Sequence, residues 1–287
     1  MLKMKSSLRF FKPLSIIILA ITLSSCSKPS KKLTQEELIA DMTEFLHESK
    51  IDSTVKLSGK TLYIYTPVER IFISSEKPKT NILNFNVDTS EGIYVDENFD
   101  FQFLINKLNK PEEKLQSYDL DKKFSKIRQK ISYYTGYKLM NSETEILFFV
   151  EIYADIESGI VLATTSYLND IKKFFCGFLP LEEYSKRITQ DVIESKKIIG
   201  DKNGDYIQYH DITLGEFLSK LIAQRIRYHF QGDYKISKPI NEVVKNIVWQ
   251  TLNSYKFNDY LLEQIKDLST DNLITLTKRD VEKKINP

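Results

Sequence analysis

The sequence predicts an α+β fold in which antiparallel strand pairs are packed by amphipathic helices; its recurring corners have two readings, repeated α-β-β-α units or the chance recurrence that any α+β chain shows. Three observations carry this. A capping box, Thr34-Gln-Glu-Glu37, precedes Leu38, Ile39, Met42, Phe45 and Leu46 at helical spacing. Strand-like runs come in pairs across turn residues, as in EILFFVEIYA (145–154), Glu157-Ser158-Gly159 and IVLATT (160–165). The corners YIYTPVERIF, LATTSYLNDIKKFF and LITLTKRDVEKKI align at Thr66, Ser166 and Thr277, 100 and 111 residues apart.

Taken in order, the first helix is expected over 35–49, where the Thr34 hydroxyl caps the start and Glu37 reaches back. Val55 and Leu57 alternate with polar neighbours as a strand does, Gly59-Lys60 turns the chain, and Leu62–Tyr65 returns. Thr66-Pro67-Val68-Glu69 combines an N-cap residue, a proline at the first helical position and a glutamate at the third, so a helix is expected to start there. Residues 81–95 read as a hairpin. Phe124, Ile127, Ile131 and Tyr134 keep a helical period over 120–138, and the strand pair 145–165 follows. Ser166 is expected to cap a helix carrying Leu168, Ile171, Phe174 and Phe175. Residues 191–211 read as a second hairpin with Asp201–Asp205 at its tip. Thr213-Leu-Gly-Glu216 is another capping box, and Leu214, Phe217, Leu218, Leu221, Ile222, Ile226 and Phe230 trace an amphipathic helix. After Pro239 a helix is marked by Val243, Val244, Ile247, Val248, Leu252 and Tyr255. A strand near 259–267, LITLT (273–277) and a helix starting at Thr277-Lys-Arg-Asp280 complete the series.

The N-terminus has its own pattern. Residues 1–13 carry Lys3, Lys5, Arg9 and Lys12 and no acid, and Leu14–Leu23 (LSIIILAITL) is apolar except for Ser15 and Thr22. A basic start, a short apolar core and small residues before a cleavage point make a secretory signal. The run falls short of the ~20 apolar residues that span a bilayer. Leu23-Ser24-Ser25-Cys26 resembles the lipobox of bacterial lipoproteins: an aliphatic residue, two small ones, then a cysteine. The resemblance covers about the first 30 residues. It implies that the Cys26 thiol takes a diacylglyceryl group and that a dedicated peptidase cuts before it. Residues 1–25 are then a signal peptide, 26–33 the lipidated cysteine and a tether, and 34–287 an α+β body subdivided near 80–118 and 178–238. The implied partner is a membrane, held through N-terminal acyl chains. The implied place is the bacterial cell envelope, and Ser27 after the cysteine favours the periplasmic face of the outer membrane if the cell is Gram-negative.

Removing residues 1–25 changes the net charge from +2 to −2. A near-neutral body lacks the concentrated basic surface that nucleic acid requires, so no nucleic-acid partner is expected. With 17 Phe and 16 Tyr the chain can build a core. The second cysteine, Cys176, lies among Phe174, Phe175 and Phe178, which predicts a buried, inert thiol.

Candidate chemistry is sparse. Asp201, Asn203 and Asp205 alternate as oxygen ligands do in calcium loops. Gly204 is the fourth residue of that run, however, where an EF-hand needs its glycine sixth, and the twelfth residue is Ile212 rather than glutamate. Asn203-Gly204 also reads as a hairpin turn. His210-Asp211 adds a pair that could ligate metal, so Asp201, Asn203, Asp205, His210 and Asp211 form the candidate metal set. His47 and His229 read as capping or packing residues. The sequence has no G-x-S-x-G elbow, no G-x-G-x-x-G and no Walker loop, so no catalytic residue and no cofactor is expected. Tyr133-Tyr134-x-x-Tyr137 and Phe148-Phe149 suit core packing or stacking on sugars or peptides. The expectation is a lipid-anchored envelope protein that acts by binding or assembly, with an envelope protein or polymer as partner. The alternative is a metal-dependent hydrolase using residues 201–211.

Overall fold

The computed structural model describes residues 31–32, 34–74, 85–89, 93–95, 98–107, 118–140, 142–230, 240–260, 262–268 and 271–279. Leu23, Ser24, Ser25 and Cys26 lie outside these residues, as does the helix expected beyond Arg279. The fold is α+β. No helix among the described residues is long and apolar enough to cross a membrane.

The first sheet is built from two helix–hairpin units. Helix α1 (Gln35–Glu48) has the expected capping box: Glu37 N–H donates to Thr34 Oγ1 at 3.1 Å, and Thr34 N–H donates to Glu37 Oε2 at 3.0 Å. Its buried residues Leu38, Met42 and Leu46 recur every four positions and face the sheet core. Strands β2 (Thr54–Ser58) and β3 (Thr61–Val68) follow as an antiparallel pair around Gly59, whose φ is +55°. The second unit is α2 (Lys122–Met140), β10 (Phe148–Asp155) and β11 (Ile160–Tyr167). The Asp121 carboxylate caps α2 by accepting from Lys123 N–H at 2.7 Å and Phe124 N–H at 3.2 Å. Strand β10 pairs parallel to β3 and antiparallel to β11, and β12 (Thr189–Glu194) completes the order β12-β11-β10-β3-β2. Every residue of β10 is buried, as befits a central strand covered on both faces.

Between β3 and β10 the chain leaves for a second sheet. Strands β4 (Phe72–Ser74) and β8 (Tyr118–Leu120) pair with each other and close the base of this excursion. Within it, β5 (Phe85–Thr89) and β6 (Ile93–Val95) both pair antiparallel with β7 (Asn98–Lys107). The hairpin expected within 81–95 is therefore corrected: both segments fold back on 98–107, not on each other. Helices α5 (Leu214–Phe230) and α6 (Ile240–Ser254) lead to the antiparallel pair β13 (Leu262–Asp267) and β14 (Asn272–Thr277). Strand β13 lies parallel to β7, giving the order β14-β13-β7-β5. Phe99, Phe101, Phe103 and Ile105 alternate along β7 and pack with Phe217, Leu221 and Val248 of the two helices. A helix followed by an antiparallel pair thus occurs three times: α1-β2-β3, α2-β10-β11 and α6-β13-β14. Among the described residues, a closing helix after the pair occurs at the second, where α3 (Leu168–Phe175) follows β11.

Three further expectations change. Thr66-Pro67-Val68 does not start a helix but continues β3, opposite Tyr153, Ala154 and Asp155 of β10. The pairing with β2 ends at Tyr65, so Pro67 sits where its missing N–H costs no ladder bond to β2, and the Thr66 hydroxyl meets Ser53 Oγ at 2.7 Å instead of capping a turn. Ser166 lies within β11. The residue before α3 is Tyr167, which makes no side-chain cap, and Leu168 N–H donates to the Leu147 carbonyl at 2.8 Å. Cys176 is exposed rather than buried, because it follows the last turn of α3 and leaves the packed face. The end of the expected tether is also part of the structure: β1 (Lys31–Lys32) pairs parallel with β9 (Ser142–Glu143).

Candidate functional site

The first sheet has two unlike faces. On one, Tyr63, Tyr65, Val150, Ile152, Ala154 and Val161 are covered by the segment that ends at Ile212. This segment holds the expected metal ligands, and the structure spends them on the fold. Asp201 accepts from four backbone N–H groups: Gly204 at 2.8 Å, Asp205 at 3.1 Å, and Asn203 and Tyr206 at 3.2 Å. Burial opposes its charge, yet these donors hold the carboxyl below the usual aspartate range. Tyr65 Oη donates to the Asp201 carbonyl and Tyr63 Oη to the His210 carbonyl, both at 2.6 Å. Asp211 accepts from Lys60 N–H at 2.8 Å and from Thr61 Oγ1 at 3.1 Å, clamping the β2–β3 turn. The side chains of Asn203, Asp205 and His210 are exposed. Among the described residues, no three His, Cys, Asp or Glu side chains gather where they could share a metal. The hairpin expected over 191–211 is corrected as well. Strand β12 pairs with β11, and the following segment is a cover laid on the sheet, held by tyrosine hydroxyls that local sequence cannot place.

The opposite face is covered by helices, and there the packing leaves a cavity of about 460 Å³. Its floor is Phe149 and Glu151 of β10 with Thr164 and Ser166 of β11; Glu151 stands opposite Thr164, and Phe149 opposite Ser166. One wall is α2, which presents Phe124, Arg128, Ser132 and Thr135 at intervals of three and four residues. The other wall is α3 with the short helix α4 (Leu181–Ser185), which supply Ile171, Phe174, Phe175 and Tyr184. Phe174 and Tyr184 stack with ring centroids 4.5 Å apart, and Phe175 fills the space that the missing Cβ of Gly136 leaves on α2. The rim carries the exposed residues Ser125, Gln129, Leu181 and Ser185.

The electrostatics of this cavity are unbalanced in an informative way. Glu151 is buried and accepts from Ser132 Oγ at 3.3 Å and from Tyr153 Oη. Burial raises its pKa, against the lowering effects of Tyr153, Arg128 and Ser132. Arg128 feels the Glu151 charge but makes no hydrogen bond or ion pair with a described residue. Arg128 lines the cavity, and the five donors of its planar guanidinium have no partner among the described residues. Thr135 Oγ1 is buried with no partner among the described residues. The size lies within the ~300–1,000 Å³ of small-molecule pockets, and the lining mixes aromatic and aliphatic side chains with about as many polar ones.

A charged cluster beside the cavity serves structure. Arg187 pairs with the buried Asp170 at 3.1 Å and with Glu183 at 2.9 Å, and Tyr255 Oη also donates to Asp170. Gln224 of α5 accepts from Gln190 N–H at 2.9 Å and donates to the Ile188 carbonyl at 2.6 Å. These bonds tie α3, α4 and β12 to the helices of the second sheet.

Sequence reasoning missed Arg128, Ser132 and Glu151. One signal was available: Glu151 is the lone charge inside FFVEIYA, a run otherwise fit for a buried strand. Of the aromatic clusters, Phe148 and Phe149 are core, Tyr134 stacks on Phe45, and Tyr133 is exposed. The fold is α+β, with a pre-formed cavity on the helix-covered face of its first sheet. No protein-family model matches the sequence, and neither a curated protein nor a solved structure matches this chain.

Proposed function

We propose that this protein is a lipid-anchored component of the bacterial cell envelope that acts by binding, and that the cavity under α2 and α3 is its binding site. The observation that carries the binding site is that Arg128, without a hydrogen bond or ion pair among the described residues, and the buried carboxyl of Glu151 line one cavity of ligand size. The anchor rests on Leu23-Ser24-Ser25-Cys26 behind a basic and apolar leader. A protein or polymer of the envelope remains the expected larger partner. The exposed Phe178 and Leu181 support this, because Leu181 forms part of the cavity rim and Phe178 lies three residues before it. The metal-dependent alternative has no support from the geometry of 201–211, where Asp201 and Asp211 already bond to backbone.

Metabolic labelling with a palmitate analogue, followed by membrane fractionation, tests the anchor. Wild-type protein is expected to carry label and to sediment with membranes, and Cys26→Ala to lose both. A variant that keeps label and membrane association ends the anchor reading.

A further inference from the structure

We infer that the cavity selects a small monoanion with an apolar body, a carboxylate whose head group is gripped by Arg128. The inference rests on the binding reading above and adds the ligand's chemistry.

Three features point to this class. First, the two charged groups of the cavity are engaged differently. The Glu151 oxygens already accept from Ser132 and Tyr153, so a ligand ammonium would compete with bonds in place. The Arg128 donors are unspent among the described residues, and a guanidinium fork matches a carboxylate with two parallel hydrogen bonds. Second, although polar residues are about half of the lining, most of the surface it exposes is apolar, and Phe124, Phe149, Ile171, Phe174 and Phe175 suit an apolar ligand body. The exposed Leu181 extends that apolar surface to the rim. Third, a single cation with an acid in its field suits one negative charge better than two. Glu151 repels a dianion, and its carboxyl can take a proton when a monoanion arrives, because burial already disfavours its charge.

The test uses the full chain in phospholipid nanodiscs, with empty discs as the blank. Four probes share one apolar body: 3-phenylpropionate, 3-phenylpropanol, 3-phenylpropylammonium and 3-phenylpropyl phosphate. Binding is read by calorimetry and by saturation transfer from protein to the phenyl protons. The carboxylate is expected to bind at least tenfold more tightly than each of the others. Arg128→Gln should weaken the carboxylate tenfold or more and leave 3-phenylpropanol unchanged, and Arg128→Lys should recover part of the loss. Circular dichroism checks that both variants stay folded. If the ammonium or the alcohol binds as well as the carboxylate, the pocket stands and the anion inference falls. The same holds if the phosphate binds more tightly, because the ligand is then a dianion. If none of the four binds, the binding-site reading itself falls.

Discussion

Asp201 and Glu263 are both withdrawn from water, and the protein treats them in opposite ways. Asp201 lies in a loop that wraps four N–H groups around its carboxylate. Glu263 lies on β13 beside Phe101 of β7 and Leu276 of β14, within the apolar face under α6. Neither of its oxygens has a hydrogen-bond partner among the described residues. Burial pushes its pKa up to about 8, with Lys245 opposing. Burial is common to both acids. What separates them is the supply of donors: a loop can turn its own amides inward, whereas a strand has committed its amides to the ladder.

Three experiments would break or sharpen this contrast. The largest effect is expected at Glu263. Its folded pKa lies above the ordinary 4.5, so its stabilising contribution is complete below about 4.5 and is lost as pH rises through about 8. Relative to Glu263→Gln, the wild type should lose on the order of 3–4 kcal/mol between those limits. Urea titrations of both proteins across that range measure it, and parallel pH profiles would show that Glu263 is satisfied. Next comes Asp201→Ala, expected to cost about 2–4 kcal/mol because it orphans four amides at once. Asp201 has the opposite sign of pH dependence: its contribution is present above the ordinary aspartate range and is lost as pH falls through its lowered value. Hydrogen exchange should quicken at 203–206 in the variant, and unchanged protection there would refute the role. The smallest effect is expected for Gly204→Ala, at about 1–2 kcal/mol. The glycine has φ +74°, and a Cβ would lie 2.8 Å from Tyr65 Cγ. This change leaves the acid in place but displaces one donor, so NMR titration should find the Asp201 pKa partly raised. A full return to the ordinary value would mean that Gly204 N–H alone sets it.

Much of the fold was legible because its signals are local. The Thr34 box and the Thr213 box both form as read, the latter with Glu216 N–H donating to Thr213 Oγ1 at 3.2 Å. Helices α1, α2, α5 and α6 fall where the apolar period places them. The failures share one cause, which is a distant partner. Thr66-Pro67-Val68-Glu69 has every local mark of a helix start, but β10 offers Thr66–Val68 a full strand to pair with. Residues 201–211 read as a hairpin tip because Tyr63 and Tyr65, more than a hundred positions earlier, are invisible to a local reading. The site was the least legible part. Arg128 sits on a polar helix face, and nothing in the spacing says whether such a face meets water or a cavity. Glu151 did break the strand pattern, and a charge in that position was the mark to follow.

The parallel junction of β3 with β10 has a consequence for how the chain becomes a protein. Thr61 is opposite Phe148, so the central pairing of the first sheet joins residues separated by the whole of β4–β8 and α2. Closing so long a loop costs entropy before it returns contacts, and pairings of this kind fold slowly. Until Phe148–Asp155 arrives, the α1–β2–β3 unit exposes an open strand edge that other chains could join. A chain that emerges N-terminus first into a crowded compartment would hold that edge open for as long as synthesis or export takes. Its yield should then depend on what shields Thr61–Val68 in the interval.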